Sequence, residues 1–139
     1  VIRPVLITAA LALAGCAWNP PPPEIQGPAP VYDPAAGPLE ADGYRVGQRS
    51  DGAYVFDIRH TARDVSKLWI DDVADCAAAE YALKRGYVSY ARIGRGEVQV
   101  EAGEGFPQPL MQGTYTYRLS LEGSGAEEKL ATCREEGLI

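Results

Sequence analysis

The feature that most constrains this chain is a run of prolines. Residues 19–38 hold eight of them: Pro20, Pro21, Pro22, Pro23, Pro28, Pro30, Pro34 and Pro38. Proline has no backbone N–H and its ring fixes φ, so neither a helix nor a central strand forms through such a stretch. It samples polyproline II at about 3.1 Å per residue and reads as a spacer of up to about 60 Å. A ligand for a proline-recognition groove is the other use of this composition. The run divides the 139-residue chain into a short apolar head and a longer tail. The tail, roughly 100 residues, is long enough to bury one core, with the slender stability of a small domain.

From about residue 43 the pattern changes. Tyr54, Phe56 and Ile58 alternate with Val55, Asp57 and Arg59, the period of a strand. Thr61 with Asp64, and then Ser66, offer helix starts. The helix they predict runs to about Arg85, with Val65, Trp69, Val73, Cys76 and Ala77 on one side and an i,i+4 pair, Glu80 and Lys84, on another. Gly86 is placed to end it in a left-handed conformation. Tyr87 to Ile93 reads as a second strand, Gly94-Arg95-Gly96 as a turn, and Glu97 to Ala102 as the returning arm of a hairpin. Residues 103–112, with Gly103, Gly105, Pro107 and Pro109, read as a loop. Thr114 to Leu121 is the clearest strand: Tyr115, Tyr117, Leu119 and Leu121 share one face, Thr114, Thr116, Arg118 and Ser120 the other. Ser124 with Glu127 forms a capping box for a last helix whose stripe is Ala126, Leu130 and Cys133, stopped by Gly137.

These elements, in the order β-α-β-β-β-α, predict an α+β two-layer sandwich over residues 43–139. One four-stranded, mainly antiparallel sheet carries two helices on one face, which buries both helical stripes.

The head of the chain places the protein. Arg3 is followed by an apolar run from Val5 to Leu13. Nine helical residues span about 14 Å, too short for a hydrocarbon core of about 30 Å, so the run reads as the h-region of a signal peptide over residues 1–15. The next residues, Leu13-Ala14-Gly15-Cys16, resemble the lipobox of bacterial lipoproteins. The resemblance implies diacylglyceryl transfer to the Cys16 thiol, cleavage before Cys16, and acylation of the new amine; two or three chains hold a protein stably on a membrane. Residues 16–42 are then the lipidated cysteine and a proline-rich linker. Ala17, where an Asp favours inner-membrane retention in enterobacterial lipoproteins, points to the outer membrane and a domain facing the periplasm. The inner membrane and the cell surface remain open alternatives.

An exported chain permits disulfides. Cys76 and Cys133 remain once Cys16 is acylated, each on the inward stripe of its helix, and a bridge between them is the expected pairing; two buried free thiols are the alternative. Without a C-x-x-C, a redox-catalytic role has little support.

The chain carries 13 basic and 19 acidic residues, a net charge of −6, and removing residues 1–15 takes away Arg3 alone and leaves −7. That balance argues against a nucleic acid partner and against direct adhesion to an anionic membrane face. His60 is the sole histidine and lies outside any nucleophile motif. Asp71, Asp72 and Asp75 read as a solvated helix face, without EF-hand spacing. Gly94-x-Gly96 and Gly103-x-Gly105 lack the third glycine of a nucleotide fingerprint. No catalytic residue, no metal ligand and no cofactor is expected.

The stretch from Ala77 to Ile93 resembles the core of small proteobacterial lipoproteins of uncharacterised function, in which a helix ends in Ala-Ala-Glu and Gly-Tyr opens a strand. Ala78, Ala79, Glu80, Gly86 and Tyr87 carry the match, which covers residues 44–93. The resemblance brings over no catalytic residue. The expected function is that of a membrane-anchored, non-enzymatic structural or protein-binding module, its membrane contact made through the lipid and its partner another envelope protein. The expected docking surface is the uncovered sheet face, with Thr114, Thr116 and Arg118. The alternative is an acidic inhibitor of a cationic cell-wall hydrolase such as lysozyme, whose association opposite charge would speed; a cell-wall enzyme is a third reading.

Overall fold

The computed structural model describes residues 28–61 and 70–138. In them the alternation of β-formers and the two cysteine-bearing stripes build seven elements: β1 (Gly43–Gln48), β2 (Tyr54–Thr61), α1 (Ile70–Lys84), β3 (Ser89–Arg95), β4 (Gln99–Gly103), β5 (Phe106–Ser120) and α2 (Ala126–Glu135). The fold is α+β, with a five-stranded antiparallel sheet. The expected signal peptide, the lipobox Leu13, Ala14, Gly15 and Cys16, and the helix start at Asp64 and Ser66 with Val65 and Trp69 fall outside the described residues.

The sheet is four lanes wide, in the order β1, β2, β5, β3, and β4 occupies the same lane as β3. The fifth strand beyond the expected four is β1. Its two glycines and single pair of larger apolar residues, Tyr44 and Val46, give too short an alternation to stand out in sequence. The hairpin expected between residues 87–93 and 97–102 does not form. Both segments instead run antiparallel to the long β5: Ser89 to Arg95 pair with Ser120 to Tyr115, and Gln99 to Gly103 with Gln112 to Phe106. Gly94-Arg95-Gly96 is thus a jog within one lane, where the β3 register shifts, and the reversal lies at Glu104-Gly105.

The loop expected at residues 103–112 is largely strand. Its prolines are tolerated because Pro107 and Pro109 lie between the Gly103↔Phe106 and Glu101↔Leu110 pairs on one side. They also lie past the last β2 pair, Thr61↔Leu110, on the other, so no ladder N–H is asked of them.

Phe56, Ile58, Met111, Tyr115 and Tyr117 of the sheet pack against Ile70, Val73, Ala74, Ala77 and Ala78 of α1. A second cluster, Ala79, Ala82, Ala126 and Leu130, joins α1 to α2. The second helix therefore rests mainly on the first, with Tyr90 and Leu119 at the border of the sheet. Small buried alanines on α1 let the sheet pack on one side of it and α2 on another. Cys76 and Cys133, both fully buried, are joined by a disulfide that staples the two helices with Cα atoms 5.9 Å apart.

Helix ends follow the expected stops. At Gly86 (φ 85°) the N–H groups of Gly86 and Tyr87 donate to the carbonyls of Leu83 and Ala82, a Schellman cap whose left-handed residue favours glycine. The Leu138 and Gly137 amides close α2 in the same way on Cys133 and Arg134. The Ser124–Glu127 capping box does not form. Gly125 is the N-cap, and the Ala126 amide is satisfied by the Val88 carbonyl at 3.2 Å.

The described part of the expected linker, residues 28–42, lies on the domain. Tyr32 N–H donates to the Gln48 carbonyl at 3.0 Å and Gln48 N–H to the Pro30 carbonyl at 2.7 Å, a parallel bridge on the end of β1, and Ala29 joins the core. A Cβ at Gly47 would lie 2.5 Å from the Tyr32 Cα, so this crossing needs a glycine beneath it. Farther along, the carbonyls of Gly37 and Leu39 accept from Arg45 and Arg59, and the Asp42 carboxylate accepts from the Thr61 amide and hydroxyl.

Candidate functional site

The carboxylates of α1 do not form a merely solvated face. The Tyr115 hydroxyl donates to Asp71 and that of Tyr117 to Asp75, each at 2.5 Å; the Tyr44 hydroxyl donates to Glu80 at 2.7 Å. Arg95 reaches Asp71 at 2.9 Å, and Arg92 lies between Asp71 (3.8 Å) and Asp75 (3.7 Å). Lys84 completes the expected pair with Glu80 at 3.1 Å, while Asp72, turned outward, faces Lys129 of α2 at 3.7 Å. The spacing of Asp71 and Asp75 puts both on one helix face, over alternate residues of β5, and the tyrosine rings fill the core while their hydroxyls emerge at the carboxylates.

Burial, then the carboxylate each one faces, pushes the phenols of Tyr115, Tyr117 and Tyr44 well above the ordinary range, so they stay protonated donors. Burial alone would raise Asp71, but the Tyr115 hydroxyl and the guanidinium groups of Arg95 and Arg92 outweigh it and hold the carboxyl below its ordinary value. Glu80 is likewise held down, against burial, by Tyr44 and Lys84. Every carboxylate of α1 is engaged, and the network anchors the helix to the sheet.

At the far end of β2 lies a cleft of about 240 Å³. Ile58, Val73, Ala77 and Leu138 give it an apolar floor, and Asp42, Arg59, His60 and Glu80 stand around its mouth. His60 continues the inward face of Tyr54, Phe56 and Ile58 and is half-buried. Burial lowers its pKa, partly opposed by the Asp42 charge. The sign for stability follows. As pH falls through the ordinary imidazole value of 6.5 the unfolded chain takes up a proton before the folded one, so stability declines. Asp71 and Glu80, also depressed in the fold, contribute stability above their ordinary values of 3.8 and 4.5 and lose it as pH falls through their folded values. A thermal melting series is expected to be flat near neutrality, to decline from about pH 6.5 and to steepen in the carboxylate range. His60→Asn should remove the first decline and keep the second. A melting temperature unchanged between neutrality and the carboxylate range would contradict this reading of His60.

The sheet face away from the helices is partly covered. Arg45, Asp57 and Thr114 stand side by side across β1, β2 and β5; Asp57 accepts from Arg45 at 2.9 Å and from the Thr114 hydroxyl at 3.0 Å. Gly37, Pro38 and Leu39 border a polar groove of about 230 Å³ beside them, closed on the other side by Glu97 and Gln99. Of the three residues expected to be presented on this face, Thr114 is engaged by Asp57, Thr116 is half-buried and Arg118 is exposed.

β4 and the start of β5 form an exposed arm. All five residues of β4 and residues 106–108 are exposed, including Val100 (41%) and Phe106 (39%). Leu110 is the last residue of β5 beside β2, so the hairpin tip runs on past the sheet. The arm is acidic: Glu97, Glu101 and Glu104 lie in residues 96–117, which hold no Lys or Arg. Two prolines and two glycines give its second half, residues 103–112, the pattern of a loop, whereas Glu97 to Ala102 already reads as a strand.

Among the described residues no group of three or more His, Cys, Asp or Glu side chains is placed to hold a metal ion, and no helix is long and apolar enough to cross a membrane. The residues that carried the family resemblance have packing roles. Ala78 and Ala79 are fully buried, Glu80 receives Tyr44, Gly86 caps α1, and the Tyr87 hydroxyl meets that of Tyr54 at 3.1 Å. No protein-family model, no curated protein and no solved structure matches the chain.

Proposed function

We propose that the chain is a lipoprotein of the bacterial cell envelope, held on the outer membrane through Cys16 and facing the periplasm. Its domain acts as a non-enzymatic module that binds another envelope protein. The arm carries this reading: β4 and residues 106–108 are exposed, two of their apolar side chains, Val100 and Phe106, are exposed, and the hairpin tip runs past the last β2 pair. The described chain meets the sheet at the Gln48 end of β1, beside Tyr54, whereas the arm tip lies beyond Thr61 at the opposite end of β2. A tether leading in from residue 28 therefore leaves the arm directed away from its point of entry. The Cys76–Cys133 bridge suits an oxidising compartment, and the α1 carboxylates, each occupied by a tyrosine, arginine or lysine, suit a structural use. A second reading, inhibition of a cationic hydrolase, is favoured by the three glutamates of the arm.

The test places a photo-crosslinking residue at position 100 of the full chain in a diderm bacterium and isolates the membranes. The expected protein begins at Cys16 with added acyl mass. It forms a discrete cross-link to one envelope protein, and the combined change Glu97→Lys, Glu101→Lys and Glu104→Lys removes it. A basic hydrolase in that product, inhibited by the purified chain, selects the second reading. An unlipidated soluble chain, or no cross-link at position 100, defeats the proposal.

A further inference from the structure

We propose that the open edge of β4 accepts an extended segment of a partner protein, alternating basic and apolar residues, as an added strand. The inference rests on the protein-binding reading and names how, and with what, the arm would engage.

The sheet has two edges, treated differently. At β1 the outer side is blocked where residues 30–32 bridge Gln48 and Tyr32 crosses Gly47. On the other side, β3 is interrupted by the register shift at Arg92/Gly94, and its arginines are drawn back to Asp71 and Asp75. Among the described residues β4 pairs with β5 alone. About half of the backbone N–H and C=O groups of a strand paired on one side point outward, unused by the sheet. Main-chain bonds to such groups supply affinity in strand addition, and alternate side chains supply specificity.

The side chains of this edge select the incoming strand. By alternation Glu97, Gln99 and Glu101 share one face, and Val98, Val100 and Ala102 the other; Glu97 and Gln99 border the same groove. Lysine or arginine at every second position of the added strand would lie against the glutamates, and the residues between them against Val100. A second copy of this chain is the poorer occupant. Antiparallel pairing of β4 with its own copy about the strand centre sets Glu101 against Glu101, and like charges directly opposite are destabilising.

The probe is a short peptide alternating Lys and Val, with one alternating Glu and Val as control, added to the isotope-labelled full chain in detergent micelles. The Lys–Val peptide is expected to shift the amide resonances of residues 99–103 and slow their hydrogen exchange, with affinity falling as salt rises. Glu97→Lys with Glu101→Lys should weaken it about tenfold or more, and Val100→Pro should abolish the exchange protection while the Tyr117 resonances stay in place. Equal binding of both peptides, protection located elsewhere, or protection surviving Val100→Pro would overturn the proposal. A cross-link at position 100 that persists in cells alongside a negative peptide result keeps the protein-binding reading and removes strand addition; absence of both removes the two together.

Discussion

Replacing both bridge cysteines, Cys76→Ala with Cys133→Ala, is expected to lower the unfolding free energy by about 4 kcal/mol. The bridge closes a loop with a sequence separation of 57, and in the chain-entropy account a loop of that length restricts the unfolded ensemble by about this amount. For a small domain with about 5–10 kcal/mol in total, that is a large share. The melting temperature should fall by about 15–25 °C. The loss should begin locally. The ten residues of α2 are too few to be helical on their own, and its buried contacts are Ala126, Leu130 and the bridged Cys133. Hydrogen exchange on the variant should therefore show α2 opening before β5. Both cysteines are fully buried, so mild reductant should act slowly on the folded protein, and the double variant is the cleaner measurement. A drop of only a few degrees would mean that Ala126 and Leu130 hold α2 without the bridge.

Phe56→Ala should cost about 3–5 kcal/mol, the range for removing a fully buried aromatic side chain. Phe56 is 0% exposed and sits at the centre of an aromatic cluster, with ring centroids 5.3 Å from Tyr117, 5.6 Å from Tyr81 and 5.8 Å from Tyr44. Truncation leaves a cavity bounded by three rings whose hydroxyls or helix attachments restrict collapse: Tyr117 is tied to Asp75 and Tyr44 to Glu80. Denaturant unfolding should show a lower midpoint at an unchanged slope. Ile93→Ala, at a site 46% exposed, is the control and should stay within about 0.5 kcal/mol. A loss at Phe56 under about 1 kcal/mol would show that the tyrosines repack into the space.

How far the fold could be read in advance differs from element to element. β2 and the second half of β5 announce themselves because each buries one face, which forces a period of two. Gly86 and Gly137 announce helix ends because the left-handed cap is a local requirement. Cys76 and Cys133 fall on inward stripes, and the bridge follows once the two helices meet. β1 escaped notice since two of its six residues are glycine. The start of β5 was hidden by Pro107 and Pro109, whose tolerance depends on what neighbours them across the sheet. Ser124 and Glu127 have the spacing of a capping box, yet the Val88 carbonyl, brought in by β3, takes the first amide of α2 instead.

The pairing of the arm and the α1 network were beyond local reading for the same reason. Tyr115 and Asp71 are 44 residues apart, Tyr117 and Asp75 42 apart, and no spacing rule links them until α1 lies on β5. By itself the sequence determined the α+β class, the two helix stops, the inward faces of the principal strands and the cysteine pair, because each rests on contacts between near neighbours or on a repeating face. Only the tertiary structure decided that β3 and β4 share one lane, that residues 28–42 pack along the domain, that three tyrosines hold three carboxylates, and that the tip of an acidic hairpin runs past the last β2 pair. Those outcomes depend on which distant backbone groups and side chains meet, and hydrogen bonding and burial settle that for the chain as a whole.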